Sequence, residues 1–401
     1  VKAVPLSQVC KIVNGGTPKS GVAEYWEGDV AWLTPAEMGK LKAPFIGMTA
    51  RTITQAGLKN SSARQVPIGA VIMSTRAPIG HLAIPKIPMA FNQGCRGLVP
   101  NDNLDTKFLY YFLWFSREAL NELGMGATFK ELASSVLGKF EIPLPPLEEQ
   151  RRIVAVLDEA FAAIATATAN AEKNLANARE LFEATLRETF AEPKPSWPLL
   201  TLKQASLDFG RGKSKHRPRN DPKLYGGEYP FIQTGDVRNC EHLITEYTQT
   251  YSSTGLAQSK LWPKGTICIT IAANIAETGI LNFDSCFPDS VIGMVVDPNR
   301  TSNSYAEYLL QSLKAVLQAK GKGSAQDNLN LAAFENEQFP FPPNEVQGAI
   351  VKRLGGLSEQ VQAMEALYGE KLIALSNLKQ SLLHRAFTGG LTAGALETEA
   401  A

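Results

Sequence analysis

The chain has 401 residues, 44% of them hydrophobic and 20% charged, which is enough apolar material for true cores and for two or three domains. Its 40 basic side chains are balanced by 39 acidic ones, so the net charge of +1 excludes a global polyanion-binding signature and leaves such affinity to local patches. Five scattered cysteines without a Cys-x-x-Cys pair fit a reducing, cytoplasmic setting. The start, Val1-Lys-Ala-Val-Pro5, has no charged region followed by an apolar core. The greasiest run, Phe108–Phe115, has the length of a buried helix, so no membrane segment is expected.

In chain order, residues 1–145 mix short apolar runs, such as Ala31-Trp-Leu33 and Gly69-Ala-Val-Ile-Met73, with Gly and Pro turns, the pattern of an α+β module. Residues 146–192 read as one long helix. Pro143, Pro145 and Pro146 precede it, Glu148 and Glu149 lie in its opening turn, and Pro193 and Pro195 follow it. Apolar or small residues at Ile153, Leu157, Ala160, Ile164, Ala167, Ala171, Leu175, Ala178 and Phe182 alternate steps of four and three, which is a coiled-coil seam.

Residues 193–343 then repeat the first module. Trp32-Leu-Thr-Pro-Ala-Glu37 lies over Phe231-Ile-Gln-Thr-Gly-Asp236, Val66-Pro-Ile-Gly69 over Trp262-Pro-Lys-Gly265, Ala77-Pro-Ile-Gly80 over Ala276-Glu-Thr-Gly279, and Gly126–Leu132 over Ala325–Leu331. Residues 344–390 give a second long helix, opened by Pro342 and Pro343 and closed by Gly389-Gly390. Its seam is Ile350, Leu354, Leu357, Val361, Met364, Tyr368, Leu372, Leu375, Leu378 and Leu382. Gln150 and Gln347, like Phe190 and Phe387, stand 197 residues apart, and residues 391–401 have the composition of a fraying tail. The expected fold class is α+β: two internally homologous globular α/β domains separated by two long helices, each a rod of roughly 60 Å. The helices form an intramolecular antiparallel coiled coil with a pseudo-twofold. A homodimeric coiled coil with two unrelated heads is the bland alternative.

Catalytic patterns are decoys. Gly212-Lys213-Ser214 ends like a phosphate loop, but Leu207 stands where its first glycine belongs. His81, His216, His242 and His384 lack metal-ligand spacing, and Asp105-Thr-Lys107 and Asp221-Pro-Lys223 read as turns. The strongest charge signal is Gly210-Arg-Gly-Lys-Ser-Lys-His-Arg-Pro-Arg219. Arg211, Lys213, Lys215, His216, Arg217 and Arg219 there crowd a loop suited to phosphates or to the O6/N7 edge of guanine, whereas a solvated basic turn is the plain reading. The first module offers a thinner set: Lys19 after Gly15-Gly-Thr-Pro18, then Arg51, Arg76, Arg96 and Lys130.

The order and duplication of these phrases resemble the specificity (S) subunit of type I restriction-modification systems, over nearly the whole chain to about Thr392. The carriers in the first module are Gly15-Gly-Thr-Pro18, Glu24-Tyr-Trp26, Trp32-Leu-Thr-Pro35, Arg76-Ala-Pro-Ile-Gly80 and Asn92-Gln-Gly-Cys95. In the second they are Leu224-Tyr-Gly-Gly227, Tyr229-Pro-Phe-Ile-Gln-Thr-Gly-Asp236 and Ala272-Ala-Asn-Ile275, with Ile142-Pro-Leu-Pro-Pro146 and Leu383-His-Arg-Ala-Phe387 bounding helices. The resemblance implies two target recognition domains, each reading half of a bipartite double-stranded DNA sequence. The helices would serve as ruler and as dock for DNA adenine methyltransferase subunits. It also implies a separate restriction/translocase subunit, with S-adenosylmethionine, ATP and Mg bound by those partners and no cofactor or active site in this chain. The second module departs from the pattern, carrying Pro288-Asp-Ser-Val291 in place of Asn92-Gln-Gly-Cys95. A coiled-coil adaptor whose two heads bind proteins is the competing class, and a self-contained modification enzyme a third. Steep salt dependence of binding separates the first from the adaptor.

Overall fold

The computed structural model describes residues 1–76, 78–125, 130–191, 194–216, 218–272, 275–315 and 337–391. The chain divides into two units, Val1–Ala171 with Glu370–Ala401, and Glu172–Gly369.

The first unit is built on a five-stranded sheet in the order Cys10–Asn14, Cys95–Pro100, Val71–Ser74, Leu82–Pro85, Phe45–Ile46. Its neighbours are antiparallel except the final pair. Val71–Ser74 and Leu82–Pro85 are buried at every position, which is why they read as unbroken apolar runs and not as alternating ones. The helix Thr106–Phe115 covers them, as expected for the greasy stretch, and Asp105 caps it by accepting from the Lys107 and Phe108 amides. A second sheet runs Thr52–Ile53, Trp26–Leu33, Met89–Phe91, Gln65–Val66. Its long strand bulges, so that Trp26 and Val30 both face Ile53, and Glu27 in the bulge has a left-handed backbone with φ of 61°. That conformation suits glycine, and the exposed Glu27 side chain makes the exchange simple. Glu27→Gly is therefore expected to stabilise the first unit by about 0.5–1 kcal/mol, read as a raised melting temperature.

The second unit repeats the plan. Its sheet runs Ser206–Arg211, Val291–Val296, Ile267–Thr270, Thr278–Leu281, Leu243–Ile244, again with only the last pair parallel. The bulge recurs, with Tyr225 and Tyr229 both facing Tyr251, and here the position matching Glu27 is Gly226, at φ of 81°. Thr34 with Glu37 and Gln233 with Asp236 form capping boxes at corresponding helix starts, as the overlay of those phrases anticipates. One overlay shifts by three residues in the structure. The Gly80 amide donates to Ser74 O at 3.0 Å and the Ala276 amide to Thr270 O at 2.8 Å, so Gly80 corresponds to Ala276, not Gly279. Both residues have positive φ, and this shared turn hid the match because the second copy builds it without glycine. Residues 126–129 and 325–331 of the remaining overlay lie outside the described residues.

Glu307 is fully buried in the second unit, accepting from Thr278 Oγ1 at 2.9 Å and meeting His242 Nδ1 at 2.7 Å, while the His242 ring stacks on Tyr308. Burial works against the charged imidazole, but the hydrogen bond and negative charge of Glu307 outweigh it and raise the His242 pKa above its ordinary 6.5. A raised folded-state pKa gives stability that is complete below the unfolded value and disappears as pH climbs through the folded one. The second unit is therefore expected to melt at a lower temperature at alkaline pH than at pH 6. In His242→Gln this pH dependence should flatten.

The long helices are Leu147–Ala191 and Asn344–Phe387. Within the first unit Ile153 and Leu157 share a core with Leu383 and Ala386. Within the second, Leu186 and Phe190 pack with Ile350 and Leu354, Asn174 donates to Tyr368 Oη at 3.0 Å, and Arg179 pairs with Glu365. In each unit the two helices thus run antiparallel. The first seam is found as read, with Ile153, Leu157, Ile164, Ala171 and Ala178 buried. The second departs near its end: Leu378 is 47% exposed, and Lys379 occupies the seam, its ammonium 4.4 Å from the Trp114 ring and 5.2 Å from that of Phe161. A lysine stem fills the space of an apolar residue while its charge rests on aromatic faces, so a tally of apolar positions misplaces the stripe by one. Against the expectation of no membrane-length segment, the first long helix is long and apolar enough to cross a membrane by length and composition. Its apolarity is largely alanine, and its larger side chains Ile153, Leu157 and Ile164 are buried against protein.

Candidate nucleic-acid interface

In each unit a loop follows the first strand of the five-stranded sheet, carrying Lys19 in the first unit and Lys213, Lys215 and His216 in the second, and the same backbone bond sets it. Gly15 N donates to Cys95 O at 3.2 Å in the first unit, and Gly212 N to Val291 O at 2.8 Å in the second. A Cβ at Gly15 would lie 2.0 Å from Asn92 O, and one at Gly212 2.2 Å from Phe287 O, so both glycines are demanded by close backbone approach.

Two tryptophans clamp the first loop. Trp32 Nε1 donates to Gly16 O at 2.9 Å and Trp26 Nε1 to Lys19 O at 3.2 Å, while Thr17 bonds Gln93. Lys19 and Arg51 are exposed, and the Arg51 guanidinium lies over the Trp26 ring. Arg76 and Arg96 converge instead on Glu131, at 3.1 and 3.5 Å, and Arg96 also bonds Ser134 Oγ and the carbonyls of Gln93 and Cys95. With its side chain only 11% exposed, Arg96 braces the module and has little to offer a ligand. Lys130 is exposed next to Glu131.

In the second unit the strand extends through Arg211, so the irregular loop begins at Gly212 and not at Gly210. Arg211, Lys213 and Lys215 are exposed and form no ion pair with the described residues. His216 Nε2 lies 2.9 Å from Asp221, whose carboxylate also pairs with Lys223 at 3.0 Å. The hydrogen bond from Lys223 holds the Asp221 carboxyl below the usual range, with His216 adding to it. Arg219 is gripped through one nitrogen by both oxygens of Asp289, at 3.0 and 2.9 Å, and its carbonyl accepts from Tyr225 Oη. Arg217 lies outside the described residues.

The predicted cations therefore fall into two kinds. Lys19, Arg51, Lys130, Arg211, Lys213 and Lys215 project without a carboxylate partner among the described residues, whereas Arg76, Arg96, His216 and Arg219 are compensated by acids of the same module. Sequence reasoning gave no site role to Glu131 and Asp289, whose carboxylates together with Asp221 decide that division, nor to Trp26, quoted only within Glu24-Tyr-Trp26. Only the position of Asp289 opposite Gln93 in the repeat pointed to one of them. The five cysteines form no disulfide, and burial pushes the thiols of Cys10, Cys95 and Cys240 up to about 12. Those three are therefore inert at neutral pH.

The structure thus holds one α+β module twice, with exposed cations in each copy, joined to two long helices. The family model for the type I restriction modification DNA specificity domain matches residues 1–175 and 207–369, and the chain belongs to that family. It is similar to the type I restriction enzyme MjaIX specificity subunit of Methanocaldococcus jannaschii, with 37% identity over 38% of this chain and 36% of that protein. It also resembles the StySPI specificity subunit of Salmonella potsdam, 21% identical over 97% of this chain and 89% of the relative. The MjaIX match thus spans about a third of that relative's length. A chain solved in work on complex assembly and conformational transition of the type I R-M system shares the fold, with a TM-score of 0.80 at 20% identity over 97% of this chain and 98% of the other.

Proposed function

We propose that this chain is the non-catalytic DNA-recognition subunit of a type I restriction-modification complex, acting on double-stranded DNA in the cytoplasm. Each unit reads one half of a bipartite target, and the helices set the gap and dock DNA adenine methyltransferase subunits. A restriction/translocase subunit completes the assembly. S-adenosylmethionine, ATP and Mg belong to those partners, and this chain's own contribution is base reading and phosphate contact.

The observation that carries this reading is one fold written twice with unlike polar residues at matching loop positions. Gly16-Thr-Pro-Lys19 stands against Lys213-Ser-Lys-His216, and Gln93 against Asp289. Equal scaffolds hold two loops in equal settings, and unequal side chains give them different base preferences, so the half-sites need not be palindromic. The test is the adenine-methylation map of host DNA with and without this gene. Methylated adenines within one two-part, non-palindromic motif should vanish on deletion, and an unchanged map contradicts the proposal.

A further inference from the structure

In the first unit Arg51 has no acidic partner among the described residues and rests on an aromatic platform. Arg51 Cζ lies 3.8 Å from the centroid of Trp26 and 5.4 Å from that of Trp32, and the two indoles meet edge to face at 5.2 Å. The Arg51 backbone is fixed too, its carbonyl accepting from Trp32 N at 3.2 Å and from Thr49 Oγ1 at 2.7 Å. With one face of the guanidinium on the ring, its donors lie in the plane of the fork, and Arg51 is exposed and bonds no carboxylate among the described residues. Arg76, Arg96 and Arg219 differ in this respect, since Glu131 and Asp289 already occupy them. The platform also clamps the loop of Lys19 through the Trp26 indole N–H.

We infer that Arg51 is the base-reading residue of the first unit, donating bidentately to the O6/N7 edge of a guanine in the major groove, and that Trp26 is its positioning residue. The inference rests on the DNA-reading function proposed above and assigns a residue to it. A planar fork whose orientation is set before binding loses little freedom on meeting a base edge, and that geometry discriminates guanine from the other bases. In the second unit the place of Trp26 is taken by Tyr225 and that of Arg51 by the exposed Gln249, paired with Phe231 as Arg51 is bonded to Trp32. An aromatic platform is kept while the guanidinium is not, so the two units cannot read the same base from this position.

The test uses the full chain with its methyltransferase subunits and a randomised duplex library, comparing wild type, Arg51→Lys and Trp26→Ala, with thermal melting to establish that each variant is folded. Arg51→Lys keeps the charge and loses the fork. It should retain affinity for scrambled duplexes yet lose discrimination at one G·C pair of one half-site by about 5- to 150-fold, leaving the other half intact. Folded Trp26→Ala, with its arginine present but unsupported, should weaken discrimination at the same base pair. Unaltered discrimination in Arg51→Lys, or a loss spread evenly over all sequences, overturns the inference while the DNA-reading function stands. A wild-type complex that selects no motif overturns both.

Discussion

Gln150→Leu is expected to destabilise the first unit by roughly 3 kcal/mol, and Gln347→Leu the second by a similar amount, because each glutamine is a buried polar joint between module and helix. Gln150 is fully buried; its Oε1 accepts from Asp105 N at 2.9 Å, and its Nε2 donates to Asn103 O and Pro145 O, both at 2.9 Å. Gln347 repeats this, donating to Arg300 O at 2.7 Å and Pro342 O at 2.8 Å while accepting from Thr301 Oγ1 at 2.9 Å. Leucine fills the same space but strands one amide and two carbonyls away from water, and each stranded group costs about 1–3 kcal/mol. Gln150→Glu separates polarity from packing. It keeps the shape, but at neutral pH it turns a carboxylate toward two carbonyl oxygens, so the loss should persist. Denaturant unfolding followed separately in the two units measures both variants, and a leucine variant as stable as wild type would show that these bonds do not join helix to module.

The second large effect concerns DNA. Replacing Arg211, Lys213 and Lys215 together by alanine should weaken binding to every duplex alike, by several hundred-fold at 0.1 M salt if each neutralises one phosphate. The slope of log affinity against log salt should become shallower by about 2.7. All three side chains are exposed without an acidic partner among the described residues, so they can displace counterions from the backbone. Selective loss at one base pair would make one of them a reader, and no loss would return the loop to a solvated turn. Asp289→Asn should act in the opposite sense. Freed from its carboxylate, Arg219 becomes a further phosphate ligand, and non-specific affinity rises and grows more sensitive to salt.

Much of this architecture was legible because duplication makes the sequence its own comparison. Gln150 and Gln347 mark the same joint, the seam Ile153, Leu157, Ile164, Ala171 and Ala178 marks a helix face by period, and the run Phe108–Phe115 marks a buried helix, although Asp105, read as a turn residue, is its N-cap. The misreadings have physical causes. Ala276 adopts a turn for which glycine was expected, so the overlay slipped by three residues. Lys379 packs its stem where only apolar residues were sought. The cations were found by composition, but composition does not reveal which have counter-ions. Glu131 lies 55 residues from Arg76 and Asp289 lies 70 from Arg219, separations that only the folded sheet closes. The indole platform under Arg51 was invisible for the same reason, since the bulge at Trp26 is defined by its pairing with Ile53.

The two-reader account is tested most directly by competition in gel shifts with the assembled complex, using duplexes that carry both half-sites, either half alone, or neither. The account predicts that the two-part duplex competes far better than either single half, and that changing the gap between intact halves removes the advantage. If one half alone competes as well as the complete site, the two units do not read DNA together.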